Sequence, residues 1–181
     1  MRVISGSARG KNLESLEGLS TRPTIDRVKE GIFSSIQFLV PGAKVLDLFA
    51  GSGQMGIECL SRGASFGVFV DMAPKAVDVT TKNLKNCGLF DKARVVNMVS
   101  QDFLRTTKDK FDIVFLDPPY NMGILDEILP KVCEILEEDG IIIAESELGY
   151  KPNQDIPQLK LVKQYKYGKV LVSKFKKESQ Q

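Results

Sequence analysis

Short apolar runs alternate with amphipathic segments along most of this chain. In the first amphipathic segment, Asp26–Phe38, apolar side chains recur with helical spacing at Val28, Ile32 and Ile36. Beyond it, runs rich in Val, Ile, Leu and Phe are separated by further helical segments, and this alternation predicts a parallel sheet. We expect strands at Lys44–Phe49, Phe66–Val70, Arg94–Met98, Ile113–Asp117 and Gly140–Ser146, and helices at Gln54–Ser61, Pro74–Cys87 and Ile124–Glu137.

The pattern changes near both ends of the chain. Leu159–Lys166 and Lys169–Phe175 flank Gly168 and predict a hairpin, so at least one strand should be antiparallel. Val3–Ser5 and Asn12–Ser15 are expected to pair as a second, shorter hairpin. We expect one α/β domain, with a hairpin extension at 1–22, a core at 23–176 and a frayed tail at 177–181.

The composition excludes several kinds of chemistry. The 181 residues suffice for one full core, and no apolar run is long enough to cross a membrane. The chain has no His, which excludes His-based acid–base catalysis and the usual His-containing metal sites. Its 3 Cys lack metal-ligand spacing, no Pro-Cys pair offers the nucleophile of a cytosine-C5 methyltransferase, and no secretory leader is evident. Reduced thiols in a cytoplasmic protein are expected.

The net charge of +2 conceals an uneven distribution. Residues 1–30 carry a net +2, residues 31–150 a net −6 and residues 151–181 a net +6. Basic ends therefore flank an acidic centre. The C-terminal lysines either solvate an edge strand or track a phosphate backbone, and the sequence leaves both interpretations open for Lys160, Lys163, Lys166, Lys169, Lys174, Lys176 and Lys177.

A glycine-rich turn follows the first predicted strand. In the segment Val45–Gly53, Gly51 and Gly53 let the backbone turn tightly and approach a ligand closely. The next strand ends at Asp71, whose carboxylate can accept hydrogen bonds from two ribose hydroxyls. A nucleoside cofactor is therefore expected at the carboxyl edge of the sheet.

Two nucleoside cofactors are compatible with this turn. Residues 51–56 match G-x-G-x-x-G, and Asp71 follows Gly51 by 20 residues, which is the fingerprint of a dinucleotide site. However, Asp47 just before the glycines would repel a pyrophosphate and attract the sulfonium and ammonium of S-adenosylmethionine. NAD would also leave the next motif without a role, so S-adenosylmethionine is favoured.

That motif is Asp117-Pro118-Pro119-Tyr120, which follows an apolar run typical of a buried strand. The Asp117 carboxylate and the Pro118 carbonyl can each accept one hydrogen of an exocyclic amine. The prolines stiffen the turn, and Tyr120 offers a flat face for stacking. The tetrapeptide therefore indicates methylation of an amino group on a heterocyclic base.

Together these segments resemble the Rossmann-like S-adenosylmethionine methyltransferases, and more narrowly the RsmD-type family, which methylates the N2 amine of a guanine in 16S ribosomal RNA. The resemblance rests on Arg2–Lys11, Thr21–Glu30 and Leu46–Gly53, in that order, and covers nearly the whole chain. It implies a mostly parallel seven-stranded sheet with an antiparallel C-terminal strand. It also implies S-adenosylmethionine as cofactor and 16S ribosomal RNA or an assembling small subunit as partner, with no membrane or metal.

The resemblance assigns the candidate site residues. Catalytic roles fall to Asp117, Pro118, Pro119 and Tyr120, and RNA contact to Arg9, Lys11, Arg22 and Arg27. Cofactor contact falls to Asp47, Phe49, Ala50, Gly51, Gly53, Asp71, Met72, Asp102 and Phe103. Asp71 replaces the glutamate of the family pattern and Gln54-Met55 replaces a small apolar pair, which leaves the cofactor type unchanged.

Some alternatives stay open. Asp102 can cap a helix or turn instead, and Glu145, in a predicted buried strand, needs a partner that the sequence does not name. A DNA adenine-N6 methyltransferase would share Asp-Pro-Pro-Tyr, but the chain has no evident target-recognition domain. A non-catalytic RNA-binding assembly factor would share the fold, although the complete set of glycines and carboxylates argues against it.

Overall fold

The structure is a computed structural model that describes residues 1–16, 23–119, 123–151, 153 and 156–178. Within 23–25 it describes the backbone alone. The predictions for Arg22 and Tyr120 lie outside the described residues.

Within the described residues, seven strands form one sheet, in the order β3-β2-β1-β4-β5-β7-β6. Strands β1 to β5 are parallel, whereas β7 pairs antiparallel with both β5 and β6. The predicted sheet, mostly parallel with an antiparallel C-terminal strand, is therefore confirmed. The strands are β1 (Lys44–Asp47), β2 (Phe66–Asp71), β3 (Ala93–Asn97), β4 (Phe111–Leu116), β5 (Leu136–Glu147), β6 (Leu159–Tyr167) and β7 (Val170–Lys177).

Helices cover both faces of the sheet and bury two apolar cores. The helices are α1 (Pro23–Ile36), α2 (Gln54–Ser61), α3 (Pro74–Asn86), α4 (Ser100–Thr106) and α5 (Ile124–Glu134), with a short 3-10 turn at Phe90–Lys92. Helices α1, α2 and α3 contribute to one core, which includes Phe33, Ile57 and Leu84. Helices α4 and α5 contribute to the other, which includes Phe103 and Ile128. None of the described helices is both long and apolar enough to cross a bilayer.

The strand order reverses direction between β1 and β4, since the chain winds outward from β1 through β2 to β3 and then returns to place β4 on the other side. In open α/β sheets, ligands bind in the crevice outside the carboxyl ends of the strands at such a switch point. The fold therefore places the segments after Asp47 and after Leu116 at the two sides of one crevice.

The N-terminal arm, residues 1–14, corrects the predicted pairing of Val3–Ser5 with Asn12–Ser15. Its antiparallel contact is the isolated bridge between Arg2 and Asn12, flanked by the hydrogen bond from the Val3 amide to the Lys11 carbonyl at 3.0 Å. The Ile4 and Ser5 amides donate instead to the Glu58 carboxylate of α2, at 2.8 and 3.0 Å. Because these two amides donate to Glu58 and not to the opposite segment of the arm, the arm does not form a continuous hairpin ladder.

The C-terminal strand also extends further than expected. Lys177, which was expected to begin the frayed tail, is the last residue of β7 and is buried. Its ammonium donates to the Leu136 carbonyl at 2.9 Å, which ties the strand end to the start of β5.

Helix α4 has no counterpart among the elements predicted from sequence, because seven residues are too short for a helical period to be recognised.

Candidate functional site

The crevice at the switch point brings Asp47 and Asp117 into one cavity. Asp47 ends β1, Asp117 follows β4, and Glu145 of β5 joins them in the lining. The complete lining also contains Phe49, Ala50, Gln54, Met55, Phe115, Leu116 and Ile143. Two motifs that lie far apart in the sequence therefore face one space, and this space contains several carboxylates and no basic side chain among its described lining residues.

The glycine-rich turn after β1 is held from both sides. Gly51 donates its amide to the Asp71 carboxylate at 2.9 Å, and its carbonyl accepts from the Thr80 hydroxyl at 3.0 Å. Gly53 adopts a left-handed φ of 76°, and a Cβ there would lie 2.9 Å from Thr80 Cγ2. A side chain at this position would be strained by its backbone and crowded by α3, so the turn requires glycine.

Asp47 is the most buried carboxylate of the crevice, with 5% of its surface exposed. Its Oδ2 accepts from the Gly56 amide at 3.1 Å, near the start of α2. Burial raises the pKa of Asp47 to about 7, the Gly56 hydrogen bond opposes this shift, and the charges of Asp117 and Asp71 add to it. A cation bound next to Asp47 would restore its ionised form.

The carboxyl groups of Asp117 and Glu145 also have raised pKa values. Loss of hydration raises the pKa of Asp117 to about 6, although its side chain still opens onto solvent at the mouth of the crevice. Burial raises the pKa of Glu145 to about 8, with further contributions from Asp117 and Asp47. Three neighbouring carboxylates that have no basic partner among the described residues favour a ligand that carries positive charge or several hydrogen-bond donors.

The other predicted cofactor residues lie around the same edge of the sheet in different settings. Asp71 accepts amide hydrogens from Gly51 and Ala73, both at 2.9 Å, and each of its oxygens keeps capacity for one more donor. Met72 is 71% exposed, whereas Phe103 is buried in the core under α4. Asp102 lies in the first turn of α4 and pairs with Arg105 at 2.9 Å.

Three of the four predicted RNA-contact residues are described, and all three are exposed. Arg9 and Lys11 lie in the turn of the N-terminal arm, and Arg27 lies on α1. Arg9 and Glu30 of α1 line one shallow cavity, so the arm and the helix form one continuous surface. The structure thus places these basic side chains on adjoining elements.

A buried ionic cluster holds the arm in place and was not predicted. The Glu58 carboxylate, which is fully buried, lies 3.5 Å from the ammonium of Lys29 and 2.8 Å from Nε of Arg62. Lys29 also donates to the Arg2 carbonyl at 2.6 Å. The available signal was a charged residue inside the apolar stretch 57–60, which is unusual in a buried helix unless the charge is paired.

A second anchor joins the arm to the glycine-rich turn. The buried Asn83 amide donates to the Ser52 carbonyl at 2.9 Å and to the Glu14 carbonyl at 3.0 Å, and its Oδ1 accepts from the Glu14 amide at 2.8 Å. One side chain of α3 therefore contacts both the turn and the arm.

The raised pKa of Asp47 predicts a pH-dependent stability. The folded-state pKa of Asp47 lies above its usual value, so its neutral carboxyl contributes to the free energy of unfolding. This contribution is fully present below about pH 4 and is lost as pH rises through about 7. Asp47→Asn should remove this dependence, which is on the order of 4 kcal/mol for a shift of about three pKa units. Thermal unfolding of the ligand-free protein between about pH 4 and pH 8 measures it.

The asparagine keeps an acceptor for the Gly56 amide, so the variant tests the charge and not the hydrogen bond. Asp117 and Glu145 contribute slopes of the same sign that persist in both proteins. Equal slopes for the unchanged protein and Asp47→Asn would show that Asp47 is ionised in the fold throughout this range.

The fold and the crevice define a Rossmann-like methyltransferase. In structure the chain is similar to yhhF from Escherichia coli, which is provisionally assigned as a methyltransferase, with a TM-score of 0.87 and 33% identity over 99% of both chains. The family model described as "Conserved hypothetical protein 95" matches residues 1–176. The chain belongs to this family, the RsmD-type methyltransferases, which confirms the resemblance drawn from its motifs.

Two relatives support this placement. The chain is 41% identical to YlbH of Bacillus subtilis, provisionally assigned as an rRNA methyltransferase, over 98% of this chain and 99% of that one. It is 36% identical to the Ribosomal RNA small subunit methyltransferase D of Haemophilus influenzae, over 81% of this chain and 79% of that one.

Proposed function

We propose that this protein transfers a methyl group from S-adenosylmethionine to the exocyclic N2 amine of a guanine in 16S ribosomal RNA. The observation that carries the proposal is the cavity shared by Asp47, which adjoins the glycine-rich turn, and Asp117, which begins the Asp-Pro-Pro turn. A cofactor site and an amine-binding turn meet there at the switch point of the sheet.

The crevice is suited to this cofactor on the chemistry of its own residues. The turn at Gly51 and Gly53 has no side chains, so its backbone can approach a ligand closely. Asp47 would face the positively charged methionine end, and Asp71 would accept from the ribose. When bound, S-adenosylmethionine supplies an activated methyl group whose leaving group is a neutral thioether.

Gln54 gives a further reason for the fit. Its Oε1 is buried and has no hydrogen-bond partner within the part of the chain that is described. A buried acceptor without a donor is costly, and this one lines the cavity that contains the carboxylates. A ligand with donors in this cavity, such as the amino-acid end of the cofactor, would satisfy it.

The role of Asp117 and Pro118 follows from the chemistry of a guanine amine. The lone pair of this amine is delocalised into the ring, which makes the nitrogen a poor nucleophile. If both amine hydrogens are accepted, one by the Asp117 carboxylate and one by the Pro118 carbonyl, the nitrogen is favoured in the tetrahedral geometry. The same two acceptors stabilise the positive charge that develops on nitrogen, and this charge is removed when one amine proton leaves to Asp117 or to water. Alignment of the amine supplies much of the remaining acceleration.

The RNA substrate is supported by the relatives and by charge. The Haemophilus influenzae relative is named as a small-subunit ribosomal RNA methyltransferase. Arg9, Lys11 and Arg27 offer exposed positive charge on the arm and α1 for phosphate contact. The target base must leave its stack to reach the crevice.

The proposal predicts label in one nucleoside. Purified protein is incubated with radiolabelled S-adenosylmethionine and small ribosomal subunits from cells that lack this protein, and the RNA is digested to nucleosides. N2-methylguanosine should carry the label. Label in another methylated base would preserve the chemistry and overturn the guanine assignment. Cofactor binding without any label, in these subunits, in naked RNA and in DNA, would instead indicate a non-catalytic assembly factor.

A further inference from the structure

A second cavity adjoins the crevice beyond the Asp-Pro-Pro turn. It has a volume of about 250 Å³, and its lining includes Pro118, Pro119, Glu145 and Glu147. Among the described residues that line the two spaces, Glu145 is the one that borders both. Glu145 therefore stands at the junction between the space next to the glycine-rich turn and the space next to the prolines.

The sheet register places Glu145 beside Asp117. Strands β4 and β5 are parallel, with Phe115 opposite Ile143 and Leu116 opposite Ala144. One step further, Asp117 and Glu145 are neighbours. Because side chains alternate along a strand, both point to the face on which Phe115 and Ile143 pack in the α1 and α2 core.

The carboxylate oxygens of Glu145 are open to solvent or to a ligand, since they are not among the buried polar atoms without a partner in the described residues. No donor or cation pairs with it in the described part of the chain, and it is only partly exposed. By contrast, Glu58 receives two backbone amides, Lys29 and Arg62, and Asp47 receives the Gly56 amide. A carboxylate that borders two cavities and has no donor among the described residues is available to a donor that a ligand supplies.

We infer that Glu145 accepts a hydrogen bond from N1–H of the target guanine and so makes the site selective for this base. The inference rests on the proposed function. With the two amine hydrogens directed to Asp117 and the Pro118 carbonyl, the remaining donor on that edge of guanine is N1–H, immediately next to the amine. A carboxylate on the neighbouring strand is well placed to receive it.

The selectivity follows from whether N1 of the base is a hydrogen-bond donor or an acceptor. Guanine carries a hydrogen on N1, whereas adenine and 2-aminopurine carry a lone pair there. An ionised carboxylate repels this lone pair and a neutral carboxyl can donate to it, so the selectivity belongs to the ionised form of Glu145. A donor at Glu145 also favours its ionised form, against the raised pKa caused by burial and by Asp117. A site built to bond a substrate N–H rejects an analogue without it far more strongly than a hydrophobic pocket rejects a missing methylene.

The test compares guanine with 2-aminopurine at the methylated position, in RNA that is naked or reconstituted into subunits as activity requires. 2-Aminopurine keeps the amine and loses N1–H. At about pH 9, above the pKa of about 8 that Glu145 has without a donor, the unchanged protein should prefer guanine in kcat/KM by about 10-fold or more, and this preference should shrink as pH falls through about 8. Glu145→Gln, whose amide can donate to the N1 lone pair of 2-aminopurine at any pH, should lose both the preference and its pH dependence.

Glu147→Gln is the matched control, because Glu147 lines the second cavity but not the first. It should keep the preference of the unchanged protein. Calorimetry with S-adenosylhomocysteine should give Glu145→Gln an affinity within about twofold of the unchanged protein.

Three outcomes would overturn the inference while the proposed function stands. They are an undiminished preference in Glu145→Gln, equal use of both bases by the unchanged protein, and loss of S-adenosylhomocysteine affinity in Glu145→Gln, which would assign Glu145 to the cofactor. If the unchanged protein methylates no guanine amine in any RNA, the proposed function itself has failed, and this inference falls with it.

Discussion

Asp117→Ala should slow methyl transfer by on the order of 10³-fold or more and leave the affinity for S-adenosylmethionine nearly unchanged. The carboxylate lies at the mouth of the crevice after β4, where we propose that it meets the amine, whereas the glycine-rich turn and Asp71 are proposed to hold the cofactor from the β1 and β2 side. Loss of one preorganised electrostatic partner of a transition state costs on the order of 10²–10³ in rate. Asp117 would also orient the amine, so we expect the upper end of that range or more.

Single-turnover rates and calorimetric affinities separate the two effects. Asp71→Ala is the contrasting variant, because it removes the acceptor of the Gly51 amide and should weaken cofactor affinity more than it slows transfer at saturating cofactor. If Asp117→Ala lost cofactor affinity and transfer rate in equal measure, Asp117 would be a cofactor residue and not an acceptor for the amine.

Glu58→Ala should lower the free energy of unfolding by about 3–5 kcal/mol, because it leaves a buried charge without its partner. Lys29 is 1% exposed, and burial lowers the pKa of its ammonium against the attraction of Glu58 and Asp26. The same substitution removes the acceptor of the Ile4 and Ser5 amides, so the N-terminal arm should lose its attachment to α2. Urea unfolding measures the first effect, and proteolysis within the arm measures the second.

The double variant Lys29→Met with Glu58→Ala distinguishes charge from anchoring. If the unpaired ammonium dominates, the double variant should lose clearly less stability than the sum of the two single variants. The remaining loss then reports the two backbone amides and the bond from Lys29 to the Arg2 carbonyl. Strictly additive losses would mean that the buried pair contributes no coupling, which would contradict this account.

The sheet and its final hairpin were predictable from sequence because their signals are local. Apolar runs of strand length alternate with helical periods, and Gly168, with a φ of 60°, turns the chain between β6 and β7. The family was also identified correctly, because its motifs combine glycines, carboxylates and prolines whose spacing few other folds require. The position of Asp47 and Asp117 in one cavity follows from the switch point of a sheet that the alternation already predicted.

What sequence analysis missed depends on partners that are distant in the chain. Lys29 and Glu58 are unremarkable charges until the fold buries them together, and the arm took a different pairing because Glu58 captures two of its amides. Helix α4 is too short for a helical period of apolar residues to be recognised in the sequence. Glu145 was noted as a carboxylate in need of a partner, but its place between two cavities could be found only from the register of β4 and β5.

The absence of His has a practical consequence when it is combined with the carboxylates of the crevice. In most proteins, imidazoles dominate proton exchange near neutral pH. Here the side chains with pKa values raised to about 6, 7 and 8 are Asp117, Asp47 and Glu145, which line one cavity. Protons released or taken up on ligand binding near pH 7 would therefore come chiefly from the crevice. Calorimetry in buffers of different ionisation enthalpy would give the number of protons exchanged for each ligand bound. This number would report on the ionisation of the crevice carboxylates without any label.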